Sequence, residues 1–206
     1  FTRALLWITV ILGAIGLLLY LLVVDVWVVG PGDDRVFAAS IFPTLMPEDK
    51  VLVHRGHVPK TGELARCASP LAPGSYVVGR VFGVPGDRVE VGGSVVRTNG
   101  TTYGTRHLCE AKVMAHPITE NLVTLECNVG EGTGAAYEFL SQSGSLSAPN
   151  SAIVEAGKLY LVSDNRVMHQ DSRDFGQIEA STCEHILFRL WGEHYSDASR
   201  RFNVLW

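Results

Sequence analysis

From Ala4 to Val24 the chain carries no charged residue and is dominated by Leu, Ile and Val. At 1.5 Å rise per residue such a run crosses roughly 30 Å of hydrocarbon, so the pattern predicts one transmembrane helix. A cleaved signal peptide is the alternative, but the run is longer than a typical h-region and no clean small-x-small site follows it. Arg3 precedes the run and Asp25 follows it. The positive-inside tendency then puts the N-terminus on the cytoplasmic or matrix side and the remainder across the membrane. Trp7, Tyr20 and Trp27 read as interface anchors, and Asp25 as a charge reaching interfacial water. The turn cluster Gly30-Pro-Gly-Asp-Asp34 ends the helix and releases the chain.

Beyond it the pattern changes period. Lys50–His54, Ser75–Val78, Arg88–Val91, Val95–Thr98, Leu122–Glu126 and Lys158–Val162 are short runs rich in β-branched and aromatic residues, several alternating apolar with polar. Asn99-Gly100 between two such runs predicts a hairpin, because a type I′ turn needs positive φ at both central positions. From about 103 to 156 the chain is rich in Gly, Ser, Ala and Asn, with a helical or irregular patch near Ala135–Leu140. This reads as an insertion. Within it, Gly130-Glu-Gly-Thr-Gly134 reads as a flexible loop, since it has neither the lysine nor the strand-to-helix setting of a phosphate loop.

The 206 residues therefore divide into an anchor, 1–29, and a mainly β domain, 30–206, carrying the insertion at about 103–156. A net charge of −4 excludes the concentrated basic footprint of a nucleic-acid-binding protein. The cysteines Cys67, Cys109, Cys127 and Cys183 show no C-x-x-C spacing, so no zinc site and no cofactor is expected. Buried free thiols are the expected state, with a Cys109–Cys127 bridge closing a loop in the insertion as the alternative.

Three boxes occur in order. They are Ser40-Ile-Phe-Pro-Thr-Leu45, Val78-Gly-Arg-Val-Phe-Gly-Val-Pro-Gly-Asp-Arg-Val89, and Ser163-Asp-Asn-Arg-Val-Met-His-Gln-Asp-Ser-Arg-Asp-Phe-Gly176. With the N-terminal anchor, this order resembles the type I signal peptidase family. The Gly62–Pro70 segment, with its Ser69-Pro70 pair, is similar to the inner mitochondrial membrane peptidase branch. The resemblance implies a signal-peptidase-type β domain and a serine nucleophile at Ser40, activated by a desolvated lysine. At the lysine position this chain has Gly79. Ala38 stands where some members place a second oxyanion donor, and His169 where a serine usually bonds the lysine.

The resemblance further implies that Arg80 and Arg173 pair with Asp164 or Asp171 as a framework beneath the site. A glycine offers no base, and losing a general base costs on the order of 10²–10⁴ in rate. The favoured expectation is thus a catalytically degenerate protein, retained as a binding or structural subunit of an inner-membrane complex. The alternative is an active serine endopeptidase acting on preproteins, with Ser40 as nucleophile, His169 as base and Asp171 orienting it. The expected location is the mitochondrial inner membrane with the domain in the intermembrane space, and a bacterial plasma membrane is the alternative. The expected partners are the membrane and other subunits, or preprotein substrates if the chain is active.

Overall fold

The structure is a computed structural model that describes residues 2–30, 34–131, 136–142 and 150–205. The apolar run forms α1 (Thr2–Leu22), and β1 (Val24–Val28) follows at once. A short helix, α2 (Arg35–Ile41), leads into β2 (Lys50–His54), β3 (Leu64–Ala68) and β4 (Tyr76–Gly83). Next come β5 (Arg88–Gly92), β6 (Val95–Thr98), β7 (Thr101–Tyr103), β8 (Thr105–Ala115), β9 (Leu122–Glu131), β10 (Ala136–Ser141) and β11 (Asn150–Ile153). The chain closes with β12 (Lys158–Val162), α3 (Ser172–Phe175), β13 (Ile178–Glu179), β14 (Cys183–Trp191) and β15 (Asn203–Val204). The protein is mainly β behind an N-terminal apolar helix, and α1 is long and apolar enough to cross a membrane.

Three antiparallel sheets are present among the described residues. The large one runs β1-β2-β14-β3-β4-β12-β13, with β15 added to β14; the others are β10-β9-β8 and β11-β5-β6-β7. The β6–β7 hairpin turns at Asn99 and Gly100 with φ of 50° and 83°, as a type I′ turn requires. Gly83 is needed where the four-stranded sheet leans on β4, because a Cβ there would stand 2.4 Å from Val89 Cγ2.

The large sheet is covered on both faces at β4, so this strand is buried from Val77 to Gly83 rather than alternating, Arg80 included. On one face Val78 packs with Val51, Val53 and Ile186, and α2 closes over them with Phe37 and Ile41. On the other face Val77 and Val81 pack with Ala65, Leu159 and Leu161. Successive strand residues point to opposite faces, so neighbours along β4 belong to different cores.

Several expectations are corrected. The patch at 136–141 is a strand, because pairing with β9 supplies the backbone partners that its composition did not advertise; Ala135 lies outside the described residues. Much of 105–131 is one long antiparallel ribbon, β8–β9, of which the sequence pattern marks only Leu122–Glu126. Gly130 and Glu131 belong to β9, while 132–134 lie outside the described residues, as do 31–33 of the first turn cluster. Trp27 is no lipid anchor: it packs against the core, edge-on to Tyr76 and beneath the Arg66 guanidinium. Asp25 forms ion pairs with Arg55 and Arg66. All four cysteines are bridged, Cys67 to Cys183 and Cys109 to Cys127. In each case strand register sets the two residues directly opposite one another.

Candidate active site

Helix α2 is started by Asp34, whose carboxylate accepts from Phe37 N–H at 2.9 Å. Its last turn carries Ser40, 1% exposed, whose hydroxyl donates to Phe37 O at 2.8 Å. The helix-end carbonyls, which lack partners inside the helix, are met by Asn165. Its backbone N–H donates to Ser40 O at 3.3 Å and its side-chain amide to Ala39 O at 2.9 Å. The same side chain accepts from the N–H groups of Val167 and Met168. Asn165 thus binds the serine box to the acidic box.

Beneath α2 lies a buried ion pair. Arg80 Nη2 and Nε reach Asp164 at 3.0 and 3.2 Å, and Arg80 Nη1 donates to Gly62 O at 2.8 Å. Thr44 donates to the same Asp164 carboxylate at 2.6 Å. The Arg80 guanidinium sits 4.1 Å above the Tyr137 ring. Burial pushes the Tyr137 phenol up, against the opposing charges of Arg166 and Arg80. Arg166 is buried over Phe82 and Phe139, and burial pushes its basicity down despite Tyr137 and Asp164 nearby. Its Nε and Nη1 have no hydrogen-bond partner among the described residues.

A second closed unit forms around Asp171. Arg173 pairs with it bidentately, Nε to Oδ1 at 2.9 Å and Nη2 to Oδ2 at 2.7 Å, and Ser163 N–H adds a bond at 2.7 Å. Burial works to raise the Asp171 pKa, but the hydrogen bonds and charge of Arg173 outweigh it and hold the carboxyl below its ordinary value. His169 Nδ1 lies 2.7 Å from Asp174 Oδ2, not against Asp171. Asp174 also accepts from Asp171 N–H, closing a capping box at the start of α3.

The structure therefore brings together Arg80 with Asp164, and Arg173 with Asp171. It does not join Ser40, His169 and Asp171 into a relay, for the hydroxyl turns onto its own helix and the imidazole onto Asp174. Gly79 also faces away from α2. A Cβ at this position would lie 3.1 Å from Leu161 Cβ, and its register partner Ala65 belongs to the same core. The serine's helix covers the opposite face, the one bearing Val78. Tyr137 comes from a segment outside the three boxes, and Arg166, although inside the third box, is not singled out by the sequence pattern; only the fold brings both around Arg80.

Two grooves flank Phe42. One, of about 680 Å³, is lined by Pro43, Thr44, Arg80, Tyr137, Arg189 and Arg200. The other, of about 660 Å³, is more apolar and is lined by Ala38, Ala39, Met46, Val113, Met114 and Pro117. This second groove lies between the serine-box helix and the tip of the β8–β9 ribbon.

Comparison with known proteins gives the frame for this geometry. Signal peptidase IB from Staphylococcus aureus strains Mu50 and N315 is 29% identical over 127 residues, 61% of this chain. The match spans 58% of those relatives' own length. Among solved structures, a signal peptidase I from Enterococcus faecalis aligns at 21% identity and a TM-score of 0.36, over 63% of this chain and 96% of that one. The family model described as "Signal peptidase, peptidase S26" matches residues 4–191, from the apolar helix to the end of β14. On that match over nearly its whole length, the chain belongs to the signal peptidase family, peptidase S26.

Proposed function

We propose that this membrane-anchored member of the family is catalytically degenerate and works as a binding or structural subunit of a membrane complex. The observation that carries the reading is position 79. Glycine stands where the resemblance puts the family's lysine, and a side chain there would be directed onto Leu161, away from α2. A serine needs an adjacent base to act as nucleophile. Ser40 has instead a backbone carbonyl as its partner, and His169 has Asp174.

The binding role draws support from the β8–β9 ribbon. At its tip Ile118 and Leu122 are 78% and 77% exposed, two large apolar side chains open to a partner. The two disulfides support a domain facing an oxidising compartment. The mitochondrial intermembrane space and the outer side of a bacterial plasma membrane both meet that condition. The Staphylococcus aureus relatives favour the bacterial membrane over the mitochondrial one, which rests on the Ser69-Pro70 pair.

The test is proteolysis by the purified full chain on a preprotein whose signal ends in a small-x-small motif. The expected product is no greater than that of the Ser40→Ala variant. Gly79→Lys is expected to restore nothing and to cost about 1–3 kcal/mol of stability through overpacking against Leu161. Cleavage by the unmodified chain that disappears in Ser40→Ala would overturn the proposal.

A further inference from the structure

Three neighbouring strands of the large sheet gather polar groups that are distant in sequence. His185 lies within β14, with His54 of β2 as its Cα partner on one side and Ala65 of β3 on the other. His57 sits in the connection after β2, and Glu63 immediately precedes β3. Glu63 Oε2 is 3.1 Å from His57 Nε2 and 3.6 Å from His185 Nδ1. One donor atom from each of the three lies within 4.8 Å of the others. The His54 ring stacks parallel on that of His57, with centroids 5.0 Å apart. None of these residues belongs to the serine, lysine or acidic boxes.

We propose that His57, Glu63 and His185 form a binding site for one divalent transition-metal ion, zinc being the best match. Two imidazoles and a carboxylate are a donor set that zinc takes in three-ligand sites, with a water in the fourth position. For metal–ligand bonds of about 2.0–2.1 Å, tetrahedral donor atoms stand roughly 3.3 Å apart. The separations of 3.1 and 3.6 Å already bracket that spacing. The carboxylate is aimed by a further bond, Lys60 N–H donating to Glu63 Oε2 at 2.8 Å, the outer-shell support that metal ligands need. The scaffold is stiff: β14 lies between β2 and β3, and the Cys67–Cys183 bridge crosses from β3 to β14 two residues before His185.

Two other groupings of potential ligands among the described residues are already committed. In one, Cys109 and Cys127 are bonded to each other and offer no thiolate. In the other, both Asp171 oxygens are held by Arg173. The three-strand cluster keeps its donors.

Its position suggests what an ion would do there. His54 is the register partner of Val24, the first strand residue after α1. Arg55 donates to Leu21 O at the end of that helix at 2.9 Å. A metal would tie the β2–β3 connection to the centre of the sheet beside the anchor junction. The role is that of a structural clamp, independent of peptide cleavage.

The experiment uses the full chain in detergent micelles, stripped with EDTA, titrated with zinc chloride and assayed for bound metal after desalting. One zinc per chain is expected, together with a rise in melting temperature. His57→Ala and Glu63→Gln should each weaken binding by at least about 100-fold, more than the loss of an outer-shell partner produces, with far-ultraviolet circular dichroism unchanged. Absence of bound zinc at micromolar free metal, or unchanged affinity in both variants, would overturn the site. Should a variant fail to fold, cobalt(II) on the unmodified chain decides. A four-coordinate absorption band displaced by zinc supports the site, and the spectrum of hydrated cobalt alone rejects it.

Discussion

Arg80 and Ser40 sit on facing elements, β4 and α2, and each is about 1% exposed, yet they are satisfied in opposite ways. The Arg80 guanidinium reaches Asp164, Gly62 O and the Tyr137 ring, three separate segments of the chain. The Ser40 hydroxyl closes on a carbonyl three residues back. His169 likewise finds its partner nearby in the chain, on Asp174 five residues later. A nucleophile–base relay requires handing a proton between elements. Here the long-range polar bonds belong to the framework, and the groups with chemical potential are satisfied locally. The degenerate function proposed above rests on this division.

The comparison breaks first at its strongest member. Asp164→Ala leaves Arg80 buried without its counter-ion, which costs about 3–5 kcal/mol. Urea denaturation of the full chain measures it, and a loss under about 1 kcal/mol would show that the framework does not hold the boxes together.

The Asp171–Arg173 unit sharpens the picture through pH. Because Arg173 holds the folded carboxyl below its ordinary value, the pair contributes stability that is present above about pH 4, the unfolded-state range. That stability is lost as pH falls through the folded value. Acid unfolding should show this component in the unmodified chain and lack it in Asp171→Asn, whose stability at neutral pH should already be lower by about 1.5–3 kcal/mol, the scale of a charge-assisted bond.

The smallest effect belongs to Ser40→Ala. It removes one neutral, local hydrogen bond together with its donor, so the cost is at most about 1 kcal/mol. Thermal melting alongside Asp164→Ala gives the contrast directly. Equal losses in the two variants would mean that Ser40 carries a long-range structural role.

Much of the scaffold is legible in the residues. The anchor, the bounds of β2, β6 and β12, and the Asn99-Gly100 turn follow from apolar run length, period-two patterning and turn chemistry. Other strands leave weaker traces. The Val24–Val28 strand continues the apolar run and merges with it, so Trp27 reads as a membrane residue. The β8 strand is exposed along most of its length and has no buried face to impose alternation. The β10 strand is specified by its partner β9.

The site divides the same way. Ser40, Gly79, Arg80, Asp164, Asp171 and Arg173 are visible as box positions; Arg166 lies in the third box with nothing local to mark its buried role, and Tyr137 lies outside the boxes.

What the sequence by itself determined is the identity of the groups: an apolar run long enough to span a bilayer, a serine box, and a glycine where a lysine would be expected. Those are one-dimensional facts, set by composition and order. Only the tertiary structure decided which groups meet. Sheet register directs position 79 onto Leu161 and away from α2, sets Cys67 opposite Cys183, and draws His57, Glu63 and His185 to one point. Such juxtapositions depend on pairing between strands far apart in the chain, and a one-residue change of register would turn each side chain to the other face.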